Sequence, residues 1–245
     1  MVTTTNDTPS LVQPESDRFR TLYLMSLAQP QATRSRERYA VAKRLFDVIG
    51  SALLVALLSP MMLVIAVVIK ATSNGPAVLV QERVGQGGRV FLFYKFRSMY
   101  DNPDRTTDER FARDYINGEP NPAAKWEGVF KPANDKRVTP VGRFLRKASL
   151  DELPQLFNVL AGDMSLVGPR PSMPYEVEVY KPWHFRRLEV PPGLTGLAQI
   201  HGRSNLTFRE IVKVDLEYID QRSFLLDLRI LLKTIPVVLS GRGAR

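Results

Sequence analysis

The chain has 245 residues, enough for one domain with a real core plus peripheral arms, at 44% hydrophobic content and a mean hydropathy of −0.14. Its formal charge of +9 suits anionic lipid headgroups, nucleic acid or a diphosphate substrate without choosing among them. Cysteine is absent, and His184 and His201 stand alone without ligand spacing. Disulfides, thiolate metal sites and a zinc enzyme are therefore excluded, and both histidines read as structural.

Residues 1–33 are rich in Thr, Ser, Pro and Gln around one apolar island at 22–27. They predict a disordered arm reaching to about residue 37, with at most a short helix. Residues 48–69 then run for 22 positions without a charge, which is long enough to cross a bilayer as a helix. Ser59-Pro60 stands at the centre of the run, where proline removes a backbone donor and clashes with the carbonyl of Ala56. The flanks are matched in charge: Arg34, Arg36, Arg38, Lys43 and Arg44 precede the run, and Lys70, Arg83, Arg89, Lys95 and Arg97 follow it. Because positive residues resist translocation, a straight span places one basic flank on the wrong side. The expectation over residues 38–72 is a re-entrant helix, broken at Ser59-Pro60, with both ends cytoplasmic. The Ser59 hydroxyl is a local partner for backbone freed by Pro60.

Residues 77–81 and 90–94 are strand-like around Gly85-Gln86-Gly87-Gly88. That loop lacks the Lys-Ser/Thr of a phosphate-binding loop and no helix signal follows it, so it predicts a hairpin turn. A short surface helix is expected at 107–116 and a loop at 117–134. Further helices are expected at 140–147, 154–160, 208–220 and 223–239. The last two mix apolar and charged positions, as core helices and helices lying in a membrane interface both do. The fold class is α+β, helix-dominated, with a small β-hairpin and several short helices.

The chemistry concentrates between Val138 and Pro171. Thr139-Pro140 starts a helix that puts Arg143, Arg146 and Lys147 on one face. Asp151-Glu152 follows, and although Ser149 and Glu152 have capping-box spacing, Pro154 favours a later start. Either way the two carboxylates sit at a helix N-terminus beside cations, where their ionised forms are favoured. A positioned carboxylate of that kind can act as a nucleophile toward phosphorus or as a Mg²⁺ ligand, or simply stabilise the helix start. Lys95 and Arg97 add charge at the end of the hairpin. Arg170 is held between Pro169 and Pro171, a constrained backbone suited to binding phosphate.

Several ordered motifs resemble one family, the bacterial sugar transferases, monotopic enzymes that act on polyprenyl phosphate. They are Lys43-Arg44-Leu45-Phe46-Asp47, Ser59-Pro60, Gln81-Glu82-Arg83-Val84-Gly85, Lys95-Phe96-Arg97-Ser98-Met99, Ser149-Leu150-Asp151-Glu152-Leu153-Pro154-Gln155, the run from Gly162 to Pro171, and Pro192-Gly193-Leu194-Thr195-Gly196. The resemblance covers the chain from about Arg38 onward. It implies that Asp151 attacks the sugar-bearing phosphate of a UDP-sugar, releasing UMP, and that polyprenyl phosphate then takes the phosphosugar. It also implies proton handling by Glu152, Mg²⁺ at Asp151, and substrate binding by Arg83, Lys95, Arg97, Arg143, Arg146 and Arg170. It places residues 73–245 as a catalytic domain at the cytoplasmic face of a bacterial inner membrane, with C-terminal helices in the interface. A homodimer, membrane lipids and downstream glycosyltransferases are the further partners expected, and nucleic acid is not. A non-catalytic membrane scaffold is the alternative. The long N-terminal arm and the insertion at 100–134 depart from the common family shapes.

Overall fold

The structure is a computed structural model, and it describes residues 12–26, 34–100, 106–118, 137–202 and 206–240. Most of the expected loop at 117–134 lies outside the described residues. Chain order is α1 (Val12–Ser26), α2 (Arg34–Thr72), β1 (Val78–Val84), β2 (Val90–Phe96), α3 (Thr106–Asn117), α4 (Pro140–Lys147), α5 (Gln155–Ala161), β3 (Ser165–Val167), α6 (Pro174–Val177), β4 (Gly193–Thr195), α7 (Leu197–His201), α8 (Phe208–Gln221) and α9 (Phe224–Ser240). Short 3-10 segments at Gln86–Gly88, Leu150–Glu152 and Pro182–Glu189 complete it. Helix dominates, as the sequence predicts. The sheet content is an antiparallel hairpin, β1–β2, and a parallel pair, β3–β4.

The hairpin closes through Gly85–Arg89, with Gly87 and Gly88 at positive φ, a conformation glycine adopts without steric cost. A Cβ on Gly88 would lie 2.6 Å from the backbone of Phe19, so α1 rests directly on this turn. Phe19 is 1% exposed and packs with Val84, Val90 and Phe185. Within the expected disordered arm, Val12–Ser26 is therefore a docked helix. Phe19, with Leu22 and Tyr23 packed against the same cluster, supplies the contact that the polar composition conceals.

Helix α2 is one uninterrupted run of 39 residues through Ser59 and Pro60, so the helix break expected there does not occur. Pro60 lies on the exposed side, and the Ser59 hydroxyl donates to Ala56 O (3.1 Å), the carbonyl that Pro60 leaves without its amide partner. One missing bond is outweighed because the helix docks on both sides of it. Lys43, Asp47, Ser51, Met62, Ile65 and Ile69 are buried, and Val55 and Leu58 are partly buried against the core. These positions follow three- and four-residue spacing and form one stripe facing the domain. The opposite face leaves Leu53, Leu57, Leu63 and Val64 more than 60% exposed.

Polar bonds fix this helix to the domain. Lys43 Nζ lies 2.9 Å from Asp227 Oδ2 on α9 and 3.8 Å from Asp47 Oδ1. Tyr39 and Tyr218 each donate to Asp227 (2.8 Å), and Asp47 Oδ1 accepts from the amide of Leu166 in β3 (3.0 Å). Arg44 donates to the carbonyls of Val159 and Leu160, capping the C-terminal end of α5. Asn158 on α5 is fully buried and bonds both Tyr94 N and Leu92 O, closing the free edge of β2.

Removing the ammonium leaves Asp227 and Asp47 buried without a cation. Lys43→Met should lower unfolding stability by about 3–5 kcal/mol, read by denaturant titration in detergent. A loss below about 1 kcal/mol would mean that the tyrosine hydroxyls alone satisfy Asp227.

Candidate active site

The carboxylates arrive on a strained turn. Thr139 caps α4 as the sequence predicts, its Oγ accepting from Gly142 N (2.8 Å), with Pro140 in the first turn. The helix ends at Ala148, and Ser149 then takes φ 55 and ψ 22, the one non-glycine residue at positive φ among those described. Serine pays an energetic cost there that glycine would not, and such strain concentrates at functional sites. The reversal feeds the 3-10 turn Leu150–Glu152, and α5 begins only after Pro154. Ser149 makes no side-chain cap bond, so the capping-box spacing is not used. Asp151 and Glu152 stand half-buried on this turn.

Arg170 meets them. Its Nη1 lies 2.8 Å from Glu152 Oε1, and its side chain is 44% exposed. Glu152 foremost, then Asp151 and Glu176, raise the Arg170 pKa, against the pull of burial. Arg83 comes from β1, 8% exposed, with Nη1 donating to Pro171 O (3.1 Å) and its guanidinium 4.9 Å over the Phe93 ring. Burial pushes its pKa down to about 10 with Arg170 assisting, while Glu176 and Glu152 oppose. Arg83, Arg170, Asp151, Glu152 and Glu176 thus share one electrostatic neighbourhood.

The other predicted cations are placed differently. Lys95 pairs with Leu79 across the hairpin, on the face that also carries Arg83. Arg146 donates from Nε to Ser98 Oγ (2.9 Å), joining α4 to the end of β2. Arg143 is exposed on α4. Arg97 is 3% exposed and donates to Ser73 O and Oγ, so it ties the end of α2 to the hairpin. The sequence does not single out Glu176, although Met173-Pro174 three residues before an acid marks a short helix start. Its carboxylate accepts from Met173 N (2.9 Å).

The site rests on α2. Leu150 and Leu153 pack against a cluster formed by Met62, Ile65, Ile69, Phe96 and Leu145. Among the described residues no group of three or more acids and histidines is set to hold a metal. A Mg²⁺ ion needs only one or two carboxylates when substrate phosphates complete its shell. Asp151 beside Glu152 fits that donor set, with Glu152 partly engaged by Arg170.

Asp151 and Glu152 thus stand half-buried on one turn, Glu152 bound by the Arg170 guanidinium, and the leucines flanking them pack onto the apolar helix α2. The chain belongs to the bacterial sugar transferase family, whose profile matches residues 38–241. Among curated relatives, galactosyl transferase CpsE of Streptococcus agalactiae is 43% identical over 208 residues, covering 84% of this chain and 44% of the relative. Undecaprenyl-phosphate galactose phosphotransferase of Salmonella typhimurium is 44% identical over 202 residues, covering 82% of this chain and 41% of the relative. The UDP-glucose:undecaprenyl-phosphate glucose-1-phosphate transferase of Caulobacter vibrioides is 40% identical over 227 residues, with 88% and 76% covered. The chain spans less than half the length of the first two.

His184 has the environment of a structural residue. His184 is 2% exposed, and its Nδ1 accepts from Lys181 N (3.1 Å). Burial, then Arg187 and Lys181, push its pKa down to about 4 from an ordinary 6.5. Below pH 6.5 the unfolded chain takes up a proton that the folded chain refuses. Stability supplied by this group is therefore complete above 6.5 and is lost as pH falls toward 4, by about 1.4 kcal/mol per pH unit. Denaturant titrations across that window should show the wild type losing more stability than His184→Gln, and equal slopes would contradict this assignment.

Proposed function

We propose that the chain transfers a sugar-1-phosphate from a UDP-sugar to polyprenyl phosphate at the cytoplasmic face of the bacterial inner membrane. The observation that carries the reading is Asp151-Glu152 held against Arg170 on a turn packed onto α2. The names of the Salmonella and Caulobacter relatives supply undecaprenyl phosphate as the acceptor, and the latter supplies a UDP-sugar as the donor.

In this mechanism a carboxylate oxygen of Asp151 attacks the sugar-bearing phosphorus. The bond from that phosphorus to the bridging oxygen breaks, and UMP leaves with the electron pair. The phosphosugar is then held as an acyl phosphate on Asp151. A phosphate oxygen of the lipid attacks the same phosphorus, the bond to Asp151 breaks, and the carboxylate returns as polyprenyl diphosphate sugar departs. Arg170 stabilises charge on the transferring group, and Glu152 orients Arg170 and manages protons at the site. Bound Mg²⁺, held by Asp151 with the diphosphate oxygens, would neutralise charge on the leaving group.

The membrane arrangement belongs to the same proposal. Lys43, near one end of α2, bonds α9, while Ile69 and Ser73 at the other end pack on the hairpin. Both ends clasp one folded body, which supports a helix whose termini lie on the same side of the bilayer. The exposed apolar face of α2, and Phe224, Leu225, Leu228 and Leu232 on α9, would then meet lipid.

Purified protein given Mg²⁺, undecaprenyl phosphate and a panel of UDP-sugars should release UMP with at least one sugar. Asp151→Asn should reduce turnover by at least about 10³-fold, as loss of a nucleophile does. No UMP with any sugar, or full activity in the variant, sinks the proposal. Cysteines placed at Ser35 and Thr72 should label from the same side, and opposite labelling would restore a spanning helix.

A further inference from the structure

Four successive carbonyl oxygens of the loop carrying Arg170 are each held by a donor from elsewhere in the chain. Pro169 O accepts from Gly193 N (2.8 Å), and Arg170 O accepts from Arg187 Nη2 (3.1 Å). Pro171 O accepts from Arg83 Nη1 (3.1 Å), and Ser172 O accepts from Val84 N (2.9 Å). Two of these donors are buried guanidiniums. The transferase reading assigns no role to the second, Arg187.

Arg187 lies in the 3-10 segment Pro182–Glu189 and is 6% exposed. Its Nε donates to Asp215 Oδ2 on α8 (2.8 Å), and its Nη1 donates to Ser172 Oγ (3.1 Å) and to the Tyr180 hydroxyl. Asp215 is 2% exposed. Replacing such a buried ion pair with apolar side chains of similar volume is often neutral or stabilising, so stability alone is a weak reason for it. An apolar side chain could not grip the Arg170 carbonyl and the Ser172 hydroxyl at once. The planar guanidinium fork does both while its Nε is pinned to α8.

We propose that Arg187, anchored by Asp215, is a positioning residue that sets the Pro169–Ser172 loop so that the Arg170 guanidinium stands against Glu152, beside Asp151. The line of contacts runs from Asp215 to Arg187, to the backbone of Arg170, and from Arg170 Nη1 to Glu152 Oε1. Nearly half of the Arg170 side chain faces solvent, so its own packing does little to fix it and its backbone must. A cation misplaced by about 1 Å can cost on the order of 10²-fold in rate. The inference rests on the transferase reading for its effect on turnover, and on geometry alone for its effect on the loop.

The test is a double-mutant cycle on the full chain in detergent, with UMP release as the readout. Arg187→Lys keeps the charge and removes the fork. In the wild-type background it should lower kcat/KM about tenfold, through kcat more than through KM for the lipid. In the Arg170→Ala background the same substitution should change kcat/KM by less than about twofold, because the group it positions is gone. Equal fold losses in both backgrounds would overturn the proposal, since a purely structural role gives independent effects. If Arg187→Lys does not fold, Ser172→Ala and Tyr180→Phe replace it in the cycle. A loss confined to the wild-type background then supports the proposal, and equal losses in both overturn it. Absence of UMP release from the wild type would count against the transferase reading, and hydrogen exchange would then decide the positioning role. Amides of Gly168, Arg170, Ser172 and Met173 should exchange at least about tenfold faster in Arg187→Lys while those of α8 stay unchanged. Unchanged exchange at those amides, or equal acceleration in α8, would overturn it.

Discussion

The ammonium of Lys43 lies buried between Asp227 and Asp47, and through those two carboxylates it joins three parts of the chain. Asp227 belongs to the last helix, Asp47 to α2 itself, and the Leu166 amide bound by Asp47 to the short strand β3. Arg44, one residue on, caps α5, which follows the Leu150–Glu152 turn. Successive turns of α2 are therefore held in register with elements more than a hundred residues away. A buried cation of this kind adds little stability over an apolar substitute, but removing one partner is strongly destabilising. The network therefore specifies one placement of α2 more than it strengthens the fold.

The same logic governs the loop at Arg170. Prolines on both sides limit its backbone, and donors from the hairpin, from β4 and from the segment before it hold its carbonyls. A flexible, half-exposed arginine thereby works from a rigid base. Arg83 illustrates the division of labour. It has the charge expected of a phosphate ligand, yet its Nη1 is committed to Pro171 O and its plane to Phe93. In this geometry it supports the loop and contributes its charge from behind.

Local chemistry makes much of this legible in the sequence. Thr139-Pro140 announces α4 because a capping hydroxyl and a fixed φ act within one turn. The glycines at 85–88 announce a hairpin because positive φ suits them. The placing of Asp151-Glu152 ahead of the helix is visible through Pro154, which displaces the helix start beyond them. Contacts distant in sequence are not visible. Arg187 and Asp215 belong to different elements, and neither has a neighbour that marks it. The strands β3 and β4 are three residues each, too short to show an alternation. The apolar run of α2 hides its buried stripe, because inward and outward faces are both hydrophobic and differ only in where Lys43, Asp47 and Ser51 fall. Pro60 suggests a break because its penalty is local, whereas the docking that offsets it is tertiary.

That buried stripe also supports the candidate site. Leu150 and Leu153, on either side of the two carboxylates, pack on the same cluster as Met62, Ile65 and Ile69. The Asp151-Glu152 turn is thus set at a fixed distance from the opposite, exposed face of α2. A phosphate on a long isoprenoid chain cannot leave the interface without exposing its tail to water, at roughly 0.8 kcal/mol per methylene-sized group. If such a lipid is the acceptor, as proposed, the protein must come to the phosphate. A carboxylate on a loose loop would reach it only by ordering that loop at each turnover. On the proposed transferase reading, packing the carboxylate turn onto α2 removes that ordering cost, because one set of apolar contacts holds both the proposed anchor and the proposed nucleophile.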